Sequence, residues 1–152
     1  MDKDILKKAF DLINKSRSMS DLFEKEKSVT SKYVHATSKG HEIIQIATAL
    51  HLKTNDFLYP YYRDDSMLLG IGLQPYDLIL QLLAKSKDPF SGGKTYYSHP
   101  SLNDPKFPKI PHQSSATGMQ AIPATGAAMG LKYKEEVGLS KKDANAPVVI
   151  CS

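Results

Sequence analysis

Between Lys87 and Ser114 the chain places five of its nine prolines, Pro89, Pro100, Pro105, Pro108 and Pro111, together with the pair Gly92 and Gly93. Proline lacks a backbone donor and fixes φ, so no regular helix or central strand runs through these 28 positions. The segment must be a long irregular loop, and a loop of that length inside a compact domain is usually functional or disordered. Phe90, Tyr96, Tyr97 and Phe107 supply apolar surface, which favours an ordered loop packed against the rest of the fold.

The flanks are periodic. From Asp4 to about Phe23, Ile5, Leu6, Ala9, Phe10, Leu12, Ile13, Met19, Leu22 and Phe23 recur at mostly three- and four-residue spacing, the stripe of an amphipathic helix packed on a core. The polar stretch from Glu24 to Gly40 reads as a turn or loop with a short extended piece at Tyr33 to His35. A second helix is expected from His41 to about Leu52. There Ile43, Ile44, Ile46, Ala47, Ala49 and Leu50 cover more than half the circumference, which predicts burial on more than one side. Phe57 to Tyr59 is a short strand stopped by Pro60, and Pro75 opens a helix that continues through Leu83. After the loop, Ala116 to Gly130 is crowded with small residues that allow close approach to another backbone or a ligand, with Pro123 bending or interrupting the helix. Ala146 to Ser152 reads as a buried strand.

At 152 residues, 41% apolar and 24% charged, the chain fits one domain. No run of about 18 apolar residues suggests a membrane span. The net charge of +4 comes from scattered lysines and only two arginines, Arg17 and Arg63, which argues against a nucleic-acid reader. Cys151 is the only cysteine, so no internal disulfide is possible, and with no signal-peptide pattern the default expectation is cytoplasmic.

Three segments stand out in order: GHEIIQIATAL from Gly40 to Leu50, YPYYRDD from Tyr59 to Asp65, and HQSSATGMQAIPATGAAMG from His112 to Gly130, with GGKTYYSHP between the last two. Together they resemble the alpha subunit, or alpha-like half, of the thiamine-diphosphate-dependent decarboxylating component of 2-oxo acid dehydrogenase complexes, branched-chain type foremost. The resemblance spans about Arg17 to Ser152. It implies an α/β fold: the N-terminal part of a thiamine-diphosphate-binding domain, helix-rich before the first central parallel strand.

Site residues carry over where the motifs match. Tyr62 and Arg63 correspond to the pair that reaches the cofactor diphosphate, consistent with the fixed donor fork of a guanidinium. The alternative for Arg63 is an ion pair with Asp64 or Asp65. Ser115 and Thr117 correspond to positions whose backbone groups hold the aminopyrimidine ring. His35 and His99 correspond to substrate-side positions, where imidazole orients a carboxylate or moves a proton; a backbone-bonded loop histidine is the plainer reading. His41, His51 and His112 read as structural or solvent-facing. No metal ligand is assigned within the chain, Met119 standing where a hydroxyl residue would be expected.

The resemblance also implies thiamine diphosphate with Mg2+, whose Gly-Asp-Gly ligand turn would follow a strand such as that ending at Cys151. The sequence stops there, so residues 1–152 are expected to be a partial domain, inactive alone. Implied partners are a 2-oxo acid, pyruvate or branched-chain, a beta subunit or fused beta-like half, and a lipoyl acyltransferase, in an oligomeric multienzyme complex. Two alternatives stand: a transketolase-like enzyme, recognised by sugar-phosphate turnover, and a non-catalytic interaction domain, favoured if the gene ends at Ser152.

Overall fold

A computed structural model describes residues 2–33, 36–111 and 116–152. The chain runs α1 (Lys3–Lys25), α2 (Lys27–Thr30), α3 (Glu42–Ala49), β1 (Phe57–Tyr59), α4 (Asp65–Gly70), α5 (Pro75–Leu82), α6 (Ala121–Glu136) and β2 (Val149–Cys151). The two strands form a parallel sheet with Phe57 opposite Val149, Leu58 opposite Ile150 and Tyr59 opposite Cys151. This is the helix-rich α/β arrangement anticipated from the sequence, with the crossover between the parallel strands supplied by everything from α4 to α6.

Local chemistry explains the element ends. Asp2 accepts from the Asp4 amide at 2.9 Å to cap α1, satisfying one of the helix's free first-turn donors. Pro75 occupies the first turn of α5, where its missing N–H costs nothing, and Asp77 accepts from the Gln74 amide at 3.0 Å in a capping box. Pro123 is likewise only the third residue of α6. It therefore does not interrupt that helix, because a first-turn proline sacrifices no intrahelical bond.

The core is built from Leu12, Met19, Phe23, Ile46, Leu58, Leu68, Leu69, Leu78, Leu82 and Ile110. Several sequence expectations are reversed around it. On α3, Ile43 and Ile44 are 69% and 66% exposed while Glu42 and Gln45 are buried, so the helix is not buried on several sides; its inward face carries polar groups that serve the neighbouring loops. On α1, Ile5, Leu6 and Phe10 are exposed and Ser16 and Ser20 are buried, with Ser16 Oγ 2.6 Å from Ser66 Oγ of α4. The stretch after α1 contains the one-turn helix α2 rather than loop alone. β2 is half exposed, and Cys151 is open to solvent. Of the small residues in this stretch only Ala124 is buried among the described residues, and open space surrounds Gly126 and Gly130, so its smallness serves no close approach there.

The proline-rich segment has the irregular, packed character expected. Over 87–111 it carries only isolated bridges, Leu102 with Ile110 and Phe57 with Lys109. Tyr97 is buried edge-on against Phe23 at 5.7 Å, and Phe90 and Phe107 pack on the core.

Helices α3 and α4 pack closely at Gly70 and Ala49. A Cβ on Gly70 would stand 2.5 Å from Ala49 Cβ, closer than carbon atoms approach. Gly70→Ala should therefore lower stability by about 1–3 kcal/mol through overpacking, despite the better helix propensity of alanine. Adding Ala49→Gly should recover part of the loss, as read by thermal unfolding of both variants.

Candidate functional site

Both strands end at one edge of the sheet, and ligand crevices of open α/β sheets lie beyond the carboxyl ends of strands. A cavity of about 400 Å³ opens there, lined by His41, Gln45, Tyr61, Arg63, Asp64 and Ser152, with Ile44, Met67 and Ile150 as apolar wall. A depression of about 460 Å³ between α1 and residues 69–74 is lined by Lys7, Lys8, Asp4 and Asp11. It contains none of the buried unpartnered polar atoms, whereas the strand-edge cavity contains two, Arg63 Nε and Gln45 Oε1. The strand-edge cavity is therefore the better candidate site.

The loop after β1 is shaped by Asp64. Its Oδ1 accepts from Gln45 Nε2 at 2.8 Å, and its Oδ2 accepts from the Tyr61 amide at 2.6 Å and from the Ser152 hydroxyl. Three donors from α3, the loop itself and the end of β2 thus converge on one buried carboxylate. Burial raises its pKa, opposed by the bonds from Ser152 and the Tyr61 amide and by the charges of His41 and Arg63. The Arg63 carbonyl accepts from Ser38 Oγ at 3.0 Å and Gln45 Nε2 at 3.2 Å, which fixes the backbone from which the guanidinium projects.

Among the described residues Arg63 makes no salt bridge within 4.0 Å, so the ion pair with Asp64 or Asp65 does not form. The guanidinium instead lies 5.8 Å and 5.5 Å from the ring centres of Tyr61 and Tyr62, which stack at 3.9 Å. Its Nη2 donates to the Tyr62 hydroxyl at 3.5 Å. A cation held on aromatic faces with a buried, unused donor suits an anionic ligand. The Tyr61 phenol accepts from Tyr62 and Thr117, which lowers its pKa, while donating to Tyr61 raises that of Tyr62.

Tyr62, Arg63 and Thr117 are thus drawn together, with Tyr61 as the link. His99 lies apart from the cavity lining: it is buried, with Nδ1 2.6 Å from the Tyr97 carbonyl, the backbone contact expected of a loop histidine. His35 and Ser115, and likewise His112, fall outside the described residues. His41, read as structural or solvent-facing, is exposed but lines the cavity. Tyr61, Gln45, Asp64 and Ser152 were not singled out as site residues. Only the adjacency of Tyr61 and Asp64 to the YR pair could have flagged them, because Gln45 and Ser152 reach the site through tertiary contacts. No group of three or more His, Cys, Asp or Glu side chains forms a metal set among the described residues.

Behind the loop, Asp65 is fully buried, accepts from Ser98 Oγ at 2.8 Å and faces Tyr97. Its Oδ2 and the Tyr97 hydroxyl, though close enough to influence each other, make no well-formed hydrogen bond. Desolvation raises the Asp65 pKa from 3.8 to about 6, with Ser98 and Tyr97 opposing and Asp64 adding to the rise. The folded state then holds a proton that the unfolded chain releases, so this contribution to stability is present below pH 4 and is lost as pH rises to about 6. The whole span is worth on the order of 3 kcal/mol. Denaturant unfolding from pH 4 to 7 should show stability falling with pH, and Asp65→Asn should flatten that slope.

No helix among the described residues is long and apolar enough to cross a membrane. A family model described as "Dehydrogenase E1 component" matches residues 12–141. The chain is also similar to the 2-oxoisovalerate dehydrogenase subunit alpha of Bacillus subtilis (strain 168), 37% identical over 62 residues, which are 40% of this chain and 19% of that relative. No solved structure matches it. With a family match over most of its length, agreeing with the order of its sequence motifs, the chain belongs to the dehydrogenase E1 component family.

Proposed function

We propose that this chain forms the cofactor-diphosphate side of a thiamine-diphosphate-dependent 2-oxo acid dehydrogenase, as part of its alpha subunit or alpha-like half. The observation that carries the reading is Arg63: a guanidinium without an ion pair among the described residues, with a buried unpartnered Nε, lining a cavity at the carboxyl ends of two parallel strands. That donor set fits a diphosphate, which offers several anionic oxygens to a planar fork.

In this reading Arg63 and the Tyr62 hydroxyl bind phosphate oxygens, the Tyr61–Thr117 contact holds Thr117, and backbone groups of Ser115 and Thr117 hold the aminopyrimidine ring. Gln45 and Asp64 hold the loop rigid, so the guanidinium needs little reorganisation to bind. His99 and His35 serve the substrate side, orienting the carboxylate of the 2-oxo acid. Thiamine diphosphate supplies the electron sink for decarboxylation. Its Mg2+ would be held by a Gly-Asp-Gly turn outside this sequence. The substrate class, branched-chain 2-oxo acids, is supported by the name of the Bacillus relative. A beta subunit or beta-like half and a lipoyl acyltransferase that receives the acyl group are the proposed partners.

In the full-length enzyme assembled with its partner subunit, Arg63→Ala should weaken thiamine diphosphate binding by roughly 1.5–3 kcal/mol, the range for a hydrogen bond to a charged group. Arg63→Lys should recover only part, because an ammonium lacks the planar fork. Titration calorimetry with Mg2+ present reads both. An unchanged Kd in Arg63→Ala would remove the diphosphate assignment.

A further inference from the structure

Ser98 is one of two non-glycine residues with positive φ among the described residues, at 58°, in the left-handed region that L side chains enter at a cost. It is buried, lies within the proline-rich loop, and directly precedes His99. The turn around it is held on three sides. Tyr97 packs edge-on against Phe23 of α1, the His99 carbonyl accepts from Gln81 Nε2 of α5 at 3.3 Å, and Ser98 Oγ donates to Asp65 Oδ1 of α4 at 2.8 Å. Of these three, only the bond to Asp65 acts on the strained residue itself.

Asp65 is a costly choice for its position. It is 0% exposed, has no salt-bridge partner among the described residues, and leaves Oδ2 unpartnered. Burying a carboxylate so poorly compensated opposes folding, and an apolar side chain would fill the same space more cheaply. What an apolar side chain could not do is accept the Ser98 hydroxyl.

We infer that Asp65 is a positioning residue whose carboxylate clamps Ser98 in the left-handed conformation and so sets the backbone turn that carries the buried His99. Asp65 opens α4, two residues after Arg63, so the clamp ties the histidine-bearing loop to the helix that follows the cofactor-side loop. The conformational part stands by itself. The consequence for catalysis rests on the proposed function, through the role given there to His99.

The test is made in the full-length enzyme with its partner subunit, using Asp65→Ala, Ser98→Ala, Ser98→Gly and the double variant Asp65→Ala/Ser98→Gly. Alanine at 98 loses the hydroxyl and keeps the backbone strain, whereas glycine adopts positive φ freely. Thermal unfolding should therefore rank Ser98→Gly above Ser98→Ala, and the double variant above Asp65→Ala alone. Asp65→Ala should raise KM for the 2-oxo acid roughly tenfold and leave the thiamine diphosphate Kd within about twofold, with the double variant recovering most of the KM. Alanine at 98 outperforming glycine, or no recovery in the double variant, overturns the clamp. Parallel loss of cofactor and substrate binding in Asp65→Ala would mean general structural damage and overturns the positioning role. A wild-type enzyme that neither binds thiamine diphosphate nor turns over 2-oxo acids refutes the proposed function instead, and the unfolding series still decides the clamp.

Discussion

The arrangement depends first on one buried carboxylate, Asp64. The loop after β1 must leave the sheet edge, turn, and enter α4 within a few residues, and its backbone groups have no regular ladder to join. Asp64 replaces that ladder: it collects the Tyr61 amide, the Gln45 amide group and the Ser152 hydroxyl. Each donor comes from a different part of the chain, so the bonds join α3, the β1 loop and the end of β2 at the rim of one cavity. A buried carboxylate with good acceptor geometry is costly to desolvate and costly to leave partly bonded, which makes the loop conformation specific.

The same economy explains why α3 turns polar groups inward. Gln45 faces Asp64 and the Arg63 carbonyl, and the Glu42 carboxylate accepts from the Gly40 amide at 2.9 Å and from Arg17 Nε at 3.4 Å. Satisfying backbone and charge in irregular segments outweighs burying Ile43 and Ile44. Arg63 is the complement of this arrangement: its carbonyl is fully engaged while its guanidinium, resting on two tyrosine rings, keeps a donor unused. A rigid backbone beneath an unsatisfied cation is the geometry that favours anion binding with little reorganisation.

Ser98 and Asp65 extend this principle into the proline-rich loop. Proline restricts most of that segment locally, yet the residue before His99 needs a left-handed backbone that neither proline nor sequence-local bonding supplies. A second buried carboxylate, one position along from Asp64, holds it. The two adjacent aspartates therefore fix two loops from the two sides of the α4 start.

Much of the fold was legible in the sequence because it depends on short-range rules. The strand at Phe57 to Tyr59, the proline-opened helix at Pro75 and the irregular, packed loop follow from alternation, first-turn proline chemistry and breaker density. The motif order also pointed to the family, and of the YR pair Arg63 lines the cavity. Tertiary structure decided the rest, because long-range hydrogen bonds leave no local pattern. Gln45 reads as one polar residue on an apolar helix, Ser152 as the last residue of a buried strand, and Asp65 as a surface charge, until residues 19, 88 and 33 positions away in the chain reach them. Periodicity reports how much apolar surface a helix has; which side of it faces inward is set by the polar groups the neighbouring loops must satisfy.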